Sequence, residues 1–388
     1  MFGKAYRIFT MFGFEVKVDL SWLIIVALVV WSLAGTVFPS EYEGFAWQVY
    51  LVMGLIGALG LFMSIVFHEL CHSLVARRYG LPMKGITLFL FGGVAEMSDE
   101  PPSPKAEFMM AAAGPLSSIV LAAVLLAIAF AGARLQWAPL VTGIFKWLGI
   151  INLYLAAFNL IPAFPLDGGR VLRSILWHFR QNLRSATHTA SRAGLFFGGF
   201  LIALGFLHLL LLRSFGGMWW ILIGMFVRGA ARQGYQSVLI RQALSGEPVS
   251  RFMSTEPVAV AASLPLENLV DDYIYRHHFK MFPVLDGGHL SGCITTREVK
   301  EVPQGQWPTR TVGEVVKPCS AENTISPGED AMKALTRMNS TGASRLMVVD
   351  NGRLVGVLSL KDLLKFLALK MELEGAEKDA ITPGTRAA

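Results

Sequence analysis

Three ionisable residues lie close together in a strongly apolar segment: His68, Glu69 and His72, in the order His-Glu-x-x-His. Residues four apart share a face of a helix, so both imidazoles can bind one zinc ion, with Glu69 beside it as a general base. Zinc lowers the pKa of a bound water to about 7, which makes a nucleophile available at neutral pH. The pattern predicts a site for zinc-assisted hydrolysis.

A catalytic zinc site usually has three protein ligands and one open position, so a third ligand is required. Asp167 is the candidate. It follows Pro162 and Pro165, which interrupt a helix, and it precedes two glycines that allow close approach of the backbone. The alternative is that Asp167 lies at a helix end in the membrane interface and pairs with Arg170.

The composition indicates a membrane protein. The 388 residues are 53% hydrophobic and only 16% charged, with a mean hydropathy of +0.50, whereas an average soluble domain has about 25% charged residues. Long apolar runs fill residues 18–235, and residues 242–388 resemble an ordinary soluble protein. A charged group at the centre of a bilayer costs roughly 2.5 kcal/mol or more, so we expect the ionisable residues at 68–72 to have a function.

Six apolar runs are long enough to cross a membrane, which takes roughly 20 residues. They lie at about 20–38, 47–79, 106–131, 144–176, 192–213 and 216–234. If the N-terminus is cytosolic, the flanking Lys and Arg residues fall on the cytosolic side, apart from Arg134, Lys146 and Arg213. This bias predicts a multi-pass protein of the cell membrane with both termini in the cytosol. Because the basic residues flank apolar runs, the net charge of +6 does not indicate a nucleic-acid partner.

A short apolar segment at residues 85–93 lies between the second and third runs and is too short to span. We predict a re-entrant hairpin there, covered by protein or facing a water cavity. The alternative is a plain surface loop.

The C-terminal part contains an internal repeat. Residues 286–298 align with residues 350–362 at a constant offset of 64 residues, without a gap. Each copy is predicted to form helix, strand, turn, strand and helix. Repeats of this kind usually pack together, because one copy cannot bury its apolar face alone.

The stretches His68-Glu-x-x-His72 and Asn159-x-x-Pro-x-x-x-x-Asp167-Gly together resemble the motifs of the site-2 protease family of intramembrane metalloproteases. The resemblance covers about residues 10–235. It implies a transmembrane protein as substrate and a substrate-facing role for the segment around Gly92-Gly93. No PDZ-like domain separates the two motifs, so substrate selection must depend on another part of the chain.

The resemblance also implies a role for each polar residue of the two motifs. Zn2+ would be bound by His68, His72 and Asp167. Glu69 would be the catalytic base, and Asn159 would position the scissile peptide or its oxyanion.

The repeat resembles a pair of CBS domains, in which a glycine is followed three residues later by Ser or Thr and six residues later by an acid. In that family the hydroxyl and the acid contact the phosphate and ribose of adenine nucleotides. The resemblance therefore implies ATP or AMP binding at Thr295, Glu298, Ser359 and Asp362. Glu298 stands where Asp is more usual in that family. The alternative to nucleotide binding is that the pair serves only as a dimerising scaffold. In either case we expect a homodimer that forms through the CBS pairs.

The predicted fold class is an α-helical polytopic membrane domain with six transmembrane helices, followed by a CBS pair of α+β or α/β type. The predicted boundaries are 1–241 for the protease domain, 242–305 for the first CBS domain, and 306–388 for the second with its tail. The predicted function is regulated intramembrane proteolysis, controlled by adenine nucleotides.

Two other functions fit part of the pattern. A transporter or channel gated by CBS domains would explain the spans and the soluble pair, but it leaves the two histidines, the glutamate and Asp167 without a role. A membrane-anchored zinc protease with its site outside the bilayer would need a third ligand outside the apolar spans, and the sequence offers no good candidate.

Overall fold

The computed structural model describes residues 5–81, 83–89, 92–97, 100–212 and 216–375. The chain forms two compact units, Met1–Val238 and Leu239–Ala388. The first contains the apolar runs, and the second contains the internal repeat.

Helices dominate the first unit, and the last of them continues past its boundary at Val238. Their bounds are α1 Ser21–Ser32, α2 Phe38–Glu41, α3 Trp47–Arg78, α4 Pro104–Arg134, α5 Pro139–Asn159, α6 Asp167–Arg180, α7 Leu183–Leu212 and α8 Gly216–Leu244. A wider helical turn at Leu33–Val37 joins α1 to α2. The start of α4 follows from its sequence: the Ser103 side chain accepts a hydrogen bond from the Ala106 N–H, and Pro104 occupies the first helical position.

Five helical segments of the described residues are long and apolar enough to cross a membrane. They are Ser21–Glu41, Trp47–Arg78, Pro104–Arg134, Pro139–Asn159 and Leu183–Leu211. The prediction of a helical membrane domain is therefore confirmed, with five candidate spans. The sixth predicted span, residues 216–234, lies within α8, which is not among these five.

The apolar run at residues 144–176 is interrupted, as its two prolines predict. In the structure α5 ends at Asn159, a turn follows, and α6 begins at Asp167. Pro162 and Pro165 lie in this turn because proline has no N–H group to donate within a helix. Asp167 is therefore the first residue of a new helix and does not end a span.

A four-stranded sheet accompanies the helices. Its order is β1 (Tyr6–Met11), β2 (Phe14–Val18), β3 (Met83–Phe89) and β4 (Gly92–Met97). The pair β2–β3 is parallel, and the other two pairs are antiparallel. The described part of the segment predicted as a hairpin at residues 85–93 belongs to the antiparallel pair β3–β4, and residues 90 and 91 lie outside the described residues.

Alternate side chains of β2 are buried, and they pack the sheet against α3. The side chains of Phe14, Val16 and Val18 are buried, and they pack with Val66 and Leu70 of α3. A strand with one buried face has its register fixed by that face. The contact therefore places the edge strand β4 beside the part of α3 that contains residues 68–72.

The second unit repeats one order of elements. The first copy contains β5 Val260–Ala261, α9 Leu266–Asn268, α10 Tyr275–His277, β6 Met281–Asp286, β7 His289–Thr295 and α11 Thr296–Glu301. After α12 (Val312–Val315) and β8 (Lys317–Pro318), the second copy contains β9 Thr324–Ile325, α13 Ala331–Thr341, β10 Arg345–Asp350, β11 Arg353–Ser359 and α14 Leu360–Gly375. The two long strands of each copy keep the offset of 64 residues found in the sequence.

Each copy completes its core with the segment that precedes the other copy. β8 pairs with β7 of the first copy, and Ser254 bridges to Val357 of the second. Val249 is buried in the core of the second copy, and Val312 in the core of the first. The two copies are thus interlocked, as expected for repeats that cannot bury their apolar faces alone.

Candidate metal centre

His68 and His72 lie one turn apart on α3, and Asp167 faces them from the first position of α6. The two Nε2 atoms are 3.2 Å apart. Oδ2 of Asp167 lies 3.1 Å from Nε2 of His68 and 3.2 Å from Nε2 of His72. Both histidines are buried. The three residues form a group that could hold a metal ion.

The spacing of these ligand atoms fits zinc. Tetrahedral zinc has bonds of about 2.0–2.2 Å to nitrogen and oxygen, which puts neighbouring ligand atoms about 3.3–3.6 Å apart. The observed separations of 3.1–3.2 Å differ from this by a few tenths of an ångström. The chain thus brings together two imidazole nitrogens and one carboxylate oxygen, the usual donor set of a catalytic zinc with an open fourth position.

Helix α4 orients both imidazole rings. Nδ1 of His68 lies 2.9 Å from Oγ of Ser118, and Nδ1 of His72 lies 2.6 Å from the carbonyl oxygen of Met110. A carbonyl oxygen only accepts, so Nδ1 of His72 carries the proton, and its Nε2 lone pair faces the metal position. Such partners fix the tautomer and the direction of a ligating histidine.

The backbone of α4 also touches the two rings at Gly114. A methyl carbon on Gly114 would lie 2.1 Å from Nε2 of His72 and 2.5 Å from Nε2 of His68. Only glycine leaves room for both rings here. The small-residue segment around Gly114 thus forms one wall of the metal group.

Glu69 lies beside this group on the wall of a cavity of about 360 Å³. Strand β4 passes directly against it, because a methyl carbon on Gly93 would lie 2.8 Å from Cγ of Glu69. Most other lining residues are apolar, among them Leu88 and Phe158. An apolar cavity with a few convergent polar groups is typical of a substrate pocket.

Asn159 is the last residue of α5 and lines the same cavity as Glu69. Its Nδ2 donates a hydrogen bond of 3.0 Å to the carbonyl oxygen of Leu155, one turn earlier. The break between α5 and α6 therefore places Asn159 and Asp167 at the same site.

The predicted nucleotide contacts occupy equivalent positions in the two copies, where they cap helices. Thr295 and Glu298 form a complete capping box at the start of α11. At the start of α14, the Ser359 hydroxyl donates to the Asp362 carboxylate and accepts from the Asp362 N–H at 3.2 Å. Each hydroxyl and acid pair therefore has a structural role in holding its helix start.

A cavity of about 540 Å³ lies between the two copies. Thr295 and Glu298 line it, whereas Ser359 and Asp362 are not among its lining residues. Its basic side chains are those of Lys280, Arg297, Lys317 and Arg345. The Arg345 guanidinium lies 3.8 Å from the centre of the Phe279 ring, and burial lowers the pKa of this arginine. Several basic groups around one cavity can bind a phosphate group.

The contributions of Ser118 and Met110 have no sequence signal, because a serine or a carbonyl on an apolar helix has no characteristic spacing. Glu107 and Arg173, which were also not predicted, form a buried ion pair between α4 and α6. A signal for Glu107 was present, since an acidic residue in an apolar run usually has a partner.

Comparisons with known protein families agree with both halves of this description. The model of peptidase family M50 matches residues 56–136 and 132–204. The model of the CBS domain matches residues 249–305 and 312–369.

Similar proteins match nearly the whole chain. The chain is 34% identical to Rip3 of Mycobacterium tuberculosis, a protein named as a zinc metalloprotease. The match covers 92% of this chain and 91% of that protein. The chain is also 34% identical to a Synechocystis protein with a similar name, over 93% of this chain and 95% of that one. Among solved structures, the site-2 protease from Methanocaldococcus jannaschii is 30% identical, covers 60% of this chain and 95% of its own, and superposes with a TM-score of 0.42.

Proposed function

The chain belongs to peptidase family M50 and is an intramembrane zinc metalloprotease with a pair of CBS domains, and we propose that it cleaves membrane-embedded proteins with zinc on His68, His72 and Asp167. The observation that carries this proposal is the convergence of two Nε2 atoms and one Oδ2 atom to within 3.2 Å of one another. Glu69 follows the first of these ligands in the chain and lines the adjoining cavity.

Zinc at this group supplies the Lewis acidity that activates water and polarises a carbonyl. Glu69 is the general base: its carboxylate accepts the proton of the attacking water and passes it to the leaving amine. The walls of the cavity are mainly apolar, which strengthens the electrostatic interactions inside it. Proton transfer of this kind typically contributes 10²–10⁴-fold to a rate.

The substrate segment is proposed to lie in the cavity between β4 and Asn159. The backbone of β4 reaches Glu69 at Gly93, so an extended peptide along this edge places a carbonyl near the base. Asn159 lines the same cavity and has amide N–H groups suited to a carbonyl oxygen or its oxyanion. Its role is to position the scissile peptide.

The test is zinc content together with cleavage, measured on the detergent-purified full-length protein. The wild type is expected to hold zinc stoichiometrically, and His68→Ala and Asp167→Ala are expected to lose both zinc and cleavage. His208→Ala, a histidine of α7 outside the metal group, serves as the matched control and should keep both. Wild-type zinc content in His68→Ala would overturn the assignment.

We propose further that an adenine nucleotide such as ATP or AMP binds between the CBS copies and changes the cleavage rate. The support is the cavity of about 540 Å³ with its four basic side chains and the Thr295 hydroxyl. A ligand shifts an equilibrium only by its differential affinity for two states, typically about 5–150-fold. Calorimetric titration of the purified protein with ATP and with AMP tests binding, and a cleavage assay with each nucleotide tests regulation. The absence of heat at millimolar nucleotide would leave the pair as a dimerising scaffold.

The proposed topology has six spans and both termini in the cytosol, with α8 as the sixth span. Close packing of α7 on α8 supports this. A methyl carbon on Gly198 would lie 2.7 Å from the carbonyl oxygen of Gly224, and one on Gly205 would lie 2.6 Å from that of Gly217. Such small residues bring membrane helices together. Green fluorescent protein fused after the last residue should fluoresce, and alkaline phosphatase at the same place should be inactive; the reverse pattern would exclude this topology.

A homodimer through the CBS pairs is also proposed. Leu364, Leu369 and Leu373 of α14 are each at least half exposed, which leaves apolar surface for a second copy. The mass of the purified protein by light scattering, corrected for detergent, is expected to be that of two chains. A monomer at all concentrations would contradict this assembly.

A further inference from the structure

A buried ion pair connects α4 to α6 close to the metal group. The Arg173 guanidinium donates from Nε to Oε1 of Glu107 at 2.6 Å, and its Nη2 contacts the same oxygen. The same Nη2 lies 3.4 Å from Glu100. The Glu107 side chain is completely buried, and the Arg173 side chain is 5% exposed. A charge removed from water to this degree is tolerated only with a well-placed partner.

The two partners belong to the two helices that build the metal group around α3. Glu107 lies one turn before Met110, whose carbonyl oxygen holds Nδ1 of His72. Arg173 lies on the short helix α6, whose first residue is Asp167. The ion pair therefore links the helix that orients the histidines to the helix that supplies the carboxylate.

Neither partner has an evident role in the chemistry itself. Glu107 and Arg173 are absent from the residues that line the substrate cavity, and Glu107 is not part of the metal-binding group in the described chain. Apolar residues of similar volume can often replace a buried ion pair without loss of stability, so stability alone does not require this pair. Two nitrogens of Arg173 contact Oε1 of Glu107, whose Oε2 is buried without a hydrogen-bond partner among the described residues, so the contact constrains the distance between the two helices.

We propose that Glu107 and Arg173 are positioning residues, which hold Asp167 at its place opposite His68 and His72 and thereby set the zinc affinity. This inference rests on the proposed metal site. Groups that orient metal ligands typically change metal affinity by 10–100-fold when they are removed. Loss of this pair is expected to have an effect of that size, because α6 can then shift relative to α4.

The test uses the full-length protein and the double variant Glu107→Leu/Arg173→Met, which removes both charges and keeps the volume. The expected result is a zinc dissociation constant about 10–100-fold higher than that of the wild type, measured in competition with a chelator. The thermal unfolding temperature of the zinc-free protein should be unchanged. Cobalt(II) substituted for zinc should show altered visible absorption, because the ligand geometry has changed. The conservative variant Arg173→Lys, which keeps the charge, should recover part of the affinity.

A second double variant is the matched control. Glu41→Gln/Lys146→Met removes an exposed ion pair between α2 and α5 and should leave zinc affinity and the cobalt spectrum unchanged. Wild-type zinc affinity in Glu107→Leu/Arg173→Met, or unfolding of its zinc-free form, would overturn the proposal. If His68→Ala also kept its zinc, the metal site itself would be wrong; if only the double variant kept it, this inference alone would fail.

Discussion

The backbone of Gly114 is in direct contact with the imidazole of His72, since a methyl carbon on the glycine would lie 2.1 Å from Nε2. That nitrogen is also the atom that faces Asp167 at 3.2 Å. A side chain larger than hydrogen at position 114 would therefore clash with the imidazole of His72 in its metal-facing orientation. The metal group thus depends on a residue that offers no ligand atom.

Gly114→Ala is predicted to weaken zinc binding at least 10-fold, although it removes no ligand. The added methyl group must displace the rings of His68 and His72, and close-packed interiors give way only partly. The measurement is zinc affinity by chelator competition. Gly229→Ala is the control, because no atom lies within 4 Å of the added carbon and its affinity should be that of the wild type.

Ser118→Ala is predicted to reduce zinc affinity about 10–100-fold, because Nδ1 of His68 loses its partner at 2.9 Å and the ring is free to turn. Ser117→Ala is the matched control on the same helix. Its hydroxyl bonds to the carbonyl oxygen of Gly114 within the helix and does not contact a ligand. Equal zinc affinity in both variants would show that the serine at 118 does not orient His68.

Glu69→Gln is predicted to keep its zinc and to lose cleavage by about 10²–10⁴-fold, because a carboxamide cannot accept the proton of water. Zinc content and the cleavage rate of a reconstituted substrate are measured on the same preparation. The inactive variant should also retain bound substrate, which allows the membrane proteins that co-purify with it to be identified. Near-normal cleavage would exclude Glu69 as the base.

The sequence predicts the metal group better than it predicts the residues around it. Helix periodicity alone aligns His68 with His72, and the number of ligands that zinc requires leads to Asp167. The positions of Ser118 and Met110 depend on how α4 packs against α3, and no local pattern encodes such a contact. Long-range packing therefore decides the outer part of the site.

The dependence on long-range packing also explains where the observed fold differs from the fold predicted from the sequence. The prolines of the apolar run at residues 144–176 predict an interruption, but hydropathy does not show where α5 ends and α6 begins. The sheet could not be predicted because β2 pairs with β3 across about 70 residues of sequence. In contrast, the CBS repeat was predictable because both copies carry the same pattern. The boundaries at residues 241 and 305 stay a prediction.

Cys293 is predicted to resist alkylation while Cys319 reacts. Burial raises the pKa of the Cys293 thiol from 9.0 to about 11, which lowers its thiolate fraction at pH 8 roughly 100-fold. Since the folded state holds this proton more tightly than the unfolded state, the stability that the thiol contributes is present below pH 9 and is lost as the pH rises toward 11. Mass spectrometry after iodoacetamide treatment should find the label on exposed Cys319. Equal labelling of both cysteines in the folded protein would contradict the buried position.

Arg345 is predicted to carry much of the affinity for the nucleotide phosphate. Its guanidinium stacks on Phe279 at 3.8 Å and borders the cavity together with Lys280 and Lys317. A planar group held by an aromatic ring loses little freedom when it binds phosphate, and burial strengthens its charge interactions. Arg345→Ala should therefore weaken binding of ATP at least 10-fold in calorimetry.

The matched control for this variant is Arg310→Ala, which removes an exposed arginine that pairs with Glu314 outside the cavity. It should bind ATP like the wild type. Ligand binding to the folded state also adds stability, about 2.7 kcal/mol at a ligand concentration 100 times the dissociation constant. Saturating ATP should thus raise the thermal unfolding temperature of the wild type and of Arg310→Ala, and should raise that of Arg345→Ala much less. An equal rise in all three proteins would show that Arg345 does not contribute to nucleotide binding.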